Sequence, residues 1–202
     1  MSLRIIAGAW KGKRIPSPPT SGTRPSADMW REALFNALGH HVEFEGAEVW
    51  DLFAGTGSLG LECLSRGAAH CTFVEKDKTT CNALQNTLGS FDATSRTRIV
   101  HSSVEKFLKA NITEVEHPDN HVHNDFALDT LNENVRIVLA DPPYDLRLGN
   151  ALLSQLSHCT SIGTLFVYEH GLTEALLERE QWDCVWKKER GNTVVEFFLH
   201  VR

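Results

Sequence analysis

None of the five cysteines (Cys63, Cys71, Cys81, Cys159, Cys184) stands in a Cys-x-x-Cys pair. That argues against a structural zinc site and a disulfide frame, and for reduced, mostly buried thiols in a cytoplasmic protein. The chain also lacks a run of ~18 apolar residues, the length that a membrane span needs. No signal-peptide core is visible at the N-terminus, and no internal repeat is present. Basic residues are in short supply, 20 Lys and Arg against 26 Asp and Glu, for a net charge of −6. A uniform acidic balance would speak against a nucleic-acid partner, but the charge is unevenly spread. Residues 1–31 carry Arg4, Lys11, Lys13, Arg14, Arg24 and Arg31 against Asp28 alone, a local +5. Ala110 to Val135 holds six acids and no Lys or Arg. An N-terminal basic patch suits phosphate contact even in an acidic chain. What is present suffices for one domain with a small appendage: 202 residues, 42% of them hydrophobic.

The pattern along the chain predicts alternating strands and helices. Arg4 to Ile15 reads as a short β-hairpin, 16–25 as a Pro- and Ser-rich loop, Ser26-Ala27-Asp28 as a helix start and Met29 to Leu38 as the helix. Strands are expected at 48–53, 71–75, 97–101, 136–140 and 163–169, with helices at 58–66, 77–89, 103–110 and 149–157 between them. A hairpin, Trp182–Glu189 and Thr193–Val201, turns at Gly191-Asn192. Such alternation ending in a hairpin implies an α/β fold with a mainly parallel sheet and one antiparallel strand inserted late. Residues 111–134 break the alternation and read as an acidic insertion or long loop. His117, His121 and His123 lie in it. Their spacing lacks the partners of a structural metal site, so no metal is expected.

Two motifs carry chemistry. Asp141-Pro142-Pro143-Tyr144 follows the apolar run Ile137-Val138-Leu139-Ala140. The Asp carboxylate and a proline carbonyl can each accept one N–H of a planar exocyclic amine. Accepting both turns the nitrogen lone pair towards an electrophile, while the Tyr ring stacks on the base. Taken alone, the same four residues also make a good turn. The second motif, Asp51-Leu52-Phe53-Ala54-Gly55-Thr56-Gly57-Ser58-Leu59-Gly60, reads as a strand end, a glycine turn and a helix start. Gly55 and Gly57 let backbone pass close to a ligand. Glu75, about 18 residues beyond Gly57, suits ribose hydroxyls. The glycine spacing alone does not separate NAD from S-adenosyl-L-methionine. Asp51 does: it would repel a pyrophosphate and attract the ammonium of a methionine moiety.

The chain resembles the bacterial 16S rRNA guanine-N2 methyltransferases that modify guanine 966, the RsmD family. The resemblance rests on Arg4-Ile5-Ile6-Ala7-Gly8-x-Trp10-x-Gly12, Thr23-Arg24-Pro25, Asp28 and Arg31-Glu32-Ala33-Leu34-Phe35-Asn36. It continues through Asp51-x-Phe53-Ala54-Gly55-Thr56-Gly57-x-Leu59-Gly60-Leu61-Glu62, Leu64-Ser65-Arg66-Gly67-Ala68, Glu75, Asp77, Phe107-Leu108 and Asp141-Pro142-Pro143-Tyr144. It implies a Rossmann-like class I methyltransferase domain over 26–202, preceded by a basic hairpin and loop over 1–25. It implies S-adenosyl-L-methionine as cofactor, held by Asp51, Phe53, Ala54, Gly55, Thr56, Gly57 and Glu75, with Ser103 and Val104 at the adenine. Asp141, Pro142, Pro143 and Tyr144 would bind the guanine, and Lys11, Lys13, Arg14 and Arg24 would grip rRNA. The implied partners are 16S rRNA in the assembling 30S subunit and its ribosomal proteins, met by a monomer with no membrane contact. Three departures stand out: Ser103-Val104, Met29-Trp30 and the acidic stretch 111–134. Other readings of the residues are an amine target on DNA adenine or protein, an NAD-dependent dehydrogenase, and a non-catalytic assembly factor.

Overall fold

Val49, Trp50 and Leu52 show how the sheet is built. Val49 joins a core on one face, while Trp50 and Leu52 join a second core on the other. A strand buried on both faces is largely apolar, as parallel strands between helical layers are. The computed structural model describes residues 3–16, 25–116, 135–177 and 179–202. Its strands are β1 (Glu48–Leu52), β2 (His70–Glu75), β3 (Thr97–His101), β4 (Val135–Ala140), β5 (Leu165–Gly171), β6 (Trp182–Arg190) and β7 (Thr193–His200). Its helices are α1 (Pro25–Leu38), α2 (Ser58–Ser65), α3 (Lys78–Ser90), α4 (Val104–Glu116) and α5 (Gly149–Leu156).

The strands form one seven-stranded sheet in the order β3-β2-β1-β4-β5-β7-β6. β7 alone runs against its neighbours, pairing antiparallel with both β5 and β6. The mainly parallel sheet with one late antiparallel strand expected from the alternation is therefore present, and so is the Rossmann-like architecture that the resemblance implies. Gly191 takes φ 59° in the two-residue turn joining Arg190 to Thr193, the conformation such a turn demands. The strand order reverses between β1 and β4. Their pairing ends at Leu52 beside Ala140, so the motifs that follow leave adjacent strands at the same sheet end. Open α/β sheets hold ligands at this reversal.

The segment 3–16 folds back on itself through an Arg4–Arg14 antiparallel bridge. A buried carboxylate ties it to the domain: Glu62, 0% exposed, accepts the N–H groups of Ile6 at 2.8 Å and Ala7 at 3.0 Å. The Arg66 guanidinium, at 2.9 Å, balances that charge.

Two boundaries differ from expectation. α4 continues to Glu116 rather than ending at 110. Asn111 is fully buried, and its side-chain amide donates to the Phe107 carbonyl at 2.7 Å. A polar residue met inside the helix in this way does not end it. The start of the expected acidic loop is therefore helical. Residues 117–134, including His117, His121 and His123, lie outside the described residues. α1 begins at Pro25, just ahead of the start read at Ser26-Ala27-Asp28, since proline suits a first helical position, where its missing N–H has no partner to lose. Among the described residues all five cysteines are free; Cys184 is exposed and the other four are buried. No described helix is long and apolar enough to cross a membrane, and no described cluster could hold a metal ion.

Candidate active site

At the tip of β1 the chain turns sharply. Phe53 has φ 63°, Gly55 φ 53° and Gly57 φ 72°. Left-handed backbone at a bulky residue such as Phe53 costs of order 1–3 kcal/mol and collects where a site needs it. Gly57 is the N-cap of α2, and a Cβ there would lie 2.5 Å from Leu84 Cδ1. Its glycine is therefore favoured by φ, and a side chain there would also have to displace the end of Leu84. Glu75 closes the turn from the tip of β2: one carboxylate oxygen accepts the Gly55 N–H at 3.1 Å and the other accepts the Asp77 N–H at 2.8 Å.

A cavity of about 870 Å³ opens above these strand tips, within the ~300–1,000 Å³ typical of ligand pockets. Phe53, Glu75, Ser103, Val104, Asp141, Pro142, Pro143 and Tyr144 all line it. Residues assigned to two motifs about 90 positions apart thus share one space. Ala54, Gly55, Thr56 and Gly57 form the turn beside it without lining it. Asp51 lies behind the turn, 2% exposed, its Oδ2 accepting the Gly60 N–H at 2.9 Å. Burial pushes its carboxyl up to about 8; Asp141 and Glu75 add to the rise, and the Gly60 N–H opposes it.

Asp141 presents surface to solvent, yet its carboxyl is crowded enough by protein that burial raises it well above the ordinary carboxylate range. The charge of Glu169 adds to the rise. The Pro143 carbonyl is occupied, accepting the Leu146 N–H at 3.1 Å. Among the described residues nothing donates to the Pro142 carbonyl. Tyr144 is 37% exposed. Its hydroxyl donates to Glu169 Oε1 at 2.6 Å and lies 3.0 Å from Thr193 Oγ1. Burial and the Glu169 contact both push its phenol upward. The ring is thereby held at the cavity wall from β5 and β7. This arrangement offers hydrogen-bond acceptors and an aromatic face to a planar, donor-bearing ligand.

The basic N-terminal residues lie elsewhere. Lys13 Nζ donates to the Ser90 carbonyl at 2.6 Å and sits 4.4 Å from the Phe91 ring centre. The Ala9 N–H donates to the Ser65 carbonyl. Ser65 and Ser90 end helices that run antiparallel to the strands. Lys11 and Lys13 therefore sit at the sheet end opposite Asp141. Lys11 and Arg14 are exposed, and Arg24 lies outside the described residues. Arg31 is 8% exposed and donates to the Arg4 carbonyl, so its charge serves packing.

Sequence reasoning missed Glu169, Lys76, Gln155 and the apolar wall of Leu146, Leu148, Ala151 and Leu152. The signal for Glu169 was an acid at the carboxyl end of an expected strand. Its relation to Asp141 needs the β4–β5 register.

The chain is 32% identical over 201 residues to "Ribosomal RNA small subunit methyltransferase D" of Haemophilus influenzae, covering 98% of this chain and 93% of that one. It is 42% identical over 106 residues to the protein of the same name from Escherichia coli, covering 52% of each. The solved yhhF structure from Escherichia coli superposes with a TM-score of 0.78 at 27% identity, covering 100% of this chain and 99% of that one. The fold is shared with SMU.776, solved as a complex with SAH, at a TM-score of 0.64 and 13% identity, covering 88% of this chain and 50% of that one. A family model described as "Conserved hypothetical protein 95" matches residues 3–199, and with these relatives the chain belongs to the RsmD family.

Proposed function

We propose that this protein methylates the exocyclic N2 amine of a guanine in 16S rRNA, guanine 966 in the family's terms, during small-subunit assembly. The observation that carries the reading is the single cavity shared by Glu75 and Asp141-Pro142-Pro143-Tyr144. The names of the family relatives support an rRNA substrate.

The residues fit S-adenosyl-L-methionine. Glu75 stands at a strand tip where an acid meets ribose hydroxyls, with Ser103 and Val104 on the same wall. Asp51 is a buried acid for which no cationic partner is described, which suits a nearby ammonium. When bound, this cofactor supplies an electrophilic methyl group on a sulfonium. The protein's part is to fix the nucleophile. Asp141 and the free Pro142 carbonyl each accept one N–H of the guanine amine. This holds the nitrogen in place and frees its lone pair, an orientation that contributes a sizeable part of the rate advantage. The same acceptors stabilise positive charge as it develops on nitrogen. Once the new N–C bond forms, the nitrogen sheds a proton, and a carboxylate raised towards neutrality is a competent acceptor. Tyr144 stacks on the extruded base, offsetting part of the few kcal/mol that unstacking costs.

Phosphate contact by the hairpin falls to Lys11 and Arg14, because Lys13 is engaged with Ser90 and Phe91. Lys11, at the far sheet end, would meet rRNA remote from the target base.

The test is transfer of a labelled methyl group to purified small subunits lacking the modification, naked 16S rRNA and duplex DNA, side by side, with the product nucleoside identified. The expected product is N2-methylguanosine in rRNA. N6-methyladenine in DNA, or labelled protein alone, would overturn the reading.

A further inference from the structure

Glu169 has no role in the reaction as drawn above. It stands on β5, the parallel neighbour of β4, and the pairing of Ala140 with Tyr168 brings Asp141 and Glu169 to adjacent strand tips. Both line the cavity. Glu169 Oε1 accepts the Tyr144 hydroxyl at 2.6 Å, and among the described residues nothing donates to its second oxygen. The cavity wall therefore presents two carboxylates side by side, with the Pro142 carbonyl and the Tyr144 ring next to them. The upward push of Glu169 on the Asp141 carboxyl agrees with that closeness.

Two neighbouring acceptors match a ligand edge with two neighbouring donors. Guanine has that edge, with N1–H beside the N2 amine. Adenine and cytosine place a bare ring nitrogen beside their amine, and uracil has a ring N–H with no amine. A carboxylate facing a bare ring nitrogen sets lone pair against lone pair and leaves both polar groups unpaired, the arrangement from which strong discrimination arises. We infer that Glu169 accepts the guanine N1–H through its free oxygen while Asp141 holds the N2 amine, making Glu169 the residue that selects guanine. This rests on the methyl-transfer reading above and adds the base-reading group to it. A purely positioning role, with Glu169 acting only through Tyr144, makes different predictions.

The test uses target RNA carrying guanine or 2-aminopurine at the modified position. 2-Aminopurine keeps the exocyclic amine but has a bare N1. Wild type is expected to favour guanine by at least about a hundredfold in kcat/KM, as sites built to pair a polar group do. In Glu169→Gln the carboxamide oxygen still accepts from Tyr144, while its NH2 can donate to the bare N1. The preference then collapses below about tenfold or reverses, and 2-aminopurine fluorescence reports tighter binding of that RNA than wild type shows. Tyr144→Phe removes the hydroxyl but leaves Glu169, and it keeps the preference for guanine. Equal losses on both substrates in Glu169→Gln, with the ratio unchanged, would overturn the inference alone. So would a matching collapse of the ratio in Tyr144→Phe. Absence of any methyl transfer to guanine by the wild type would overturn the underlying reading and this inference with it.

Discussion

Replacing Asp51 with Asn removes a buried titratable carboxyl while keeping the shape of the side chain. Asp51 is 2% exposed, and its carboxyl is raised from 3.8 to about 8, chiefly by burial. An amide oxygen at the same place still accepts the Gly60 N–H that Oδ2 accepts now. A carboxyl raised in the folded state keeps its proton there and loses it in the unfolded chain. Its contribution to stability is complete below about pH 4 and is lost as pH rises through about 8. Between those limits the loss is about 1.4 kcal/mol per pH unit. From pH 5 to pH 7 that comes to about 3 kcal/mol, or roughly 5–11 °C of Tm in a protein of this size. Thermal unfolding of the ligand-free protein, followed by circular dichroism at pH 5, 6, 7 and 8, measures it. Wild type should lose that much more Tm than Asp51→Asn over the interval. The variant should also bind S-adenosylhomocysteine more weakly by calorimetry, because the charge proposed to face the ligand's ammonium is gone. Unfolding curves that shift in parallel for the two proteins would refute the electrostatic reasoning.

Asp141→Ala should retain cofactor binding and lose at least about a hundredfold in methyl transfer, the scale of removing a preorganised charge-stabilising group. In the wild type, single-turnover rates should fall on acidification with a midpoint above the ordinary carboxylate range, because a protonated Asp141 is a poorer acceptor. Gly57→Ala should lower Tm by several degrees: φ 72° costs about 1–2 kcal/mol for an L side chain, and the new Cβ meets Leu84 at 2.5 Å. Glu62→Ala frees the N–H groups of Ile6 and Ala7 and strips Arg66 of its partner. Breaking a buried pair costs about 3–5 kcal/mol, and limited proteolysis should then cut the N-terminal segment first.

The alternating fold was legible because most of the parallel strands carry a short apolar stretch bounded by a turn, a pattern set by local chemistry. Asp141-Pro142-Pro143-Tyr144 and the Gly55-Thr56-Gly57 turn were legible for the same reason: each is short and contiguous, and each stands at a strand end. What stayed hidden depends on pairing register or on contacts distant in sequence. Glu169 joins Asp141 through the β4–β5 register. The engagement of Lys13 with Ser90 spans 77 positions, so nothing local distinguishes that lysine from a phosphate ligand. The end of the helix expected at 110 was misplaced because the polar, acidic stretch that follows reads as a loop, while the burial of Asn111 and its bond to the Phe107 carbonyl are visible only in the fold.

The most direct test of the shared cavity is a crystal structure with S-adenosylhomocysteine and a short RNA carrying the target guanine. The cofactor's ribose is expected against Glu75 and the guanine amine against Asp141 and the Pro142 carbonyl, in one continuous space with the N2 nitrogen facing the sulfur. Density for the cofactor away from Glu75, or a guanine bound with its amine turned from Asp141, would contradict it.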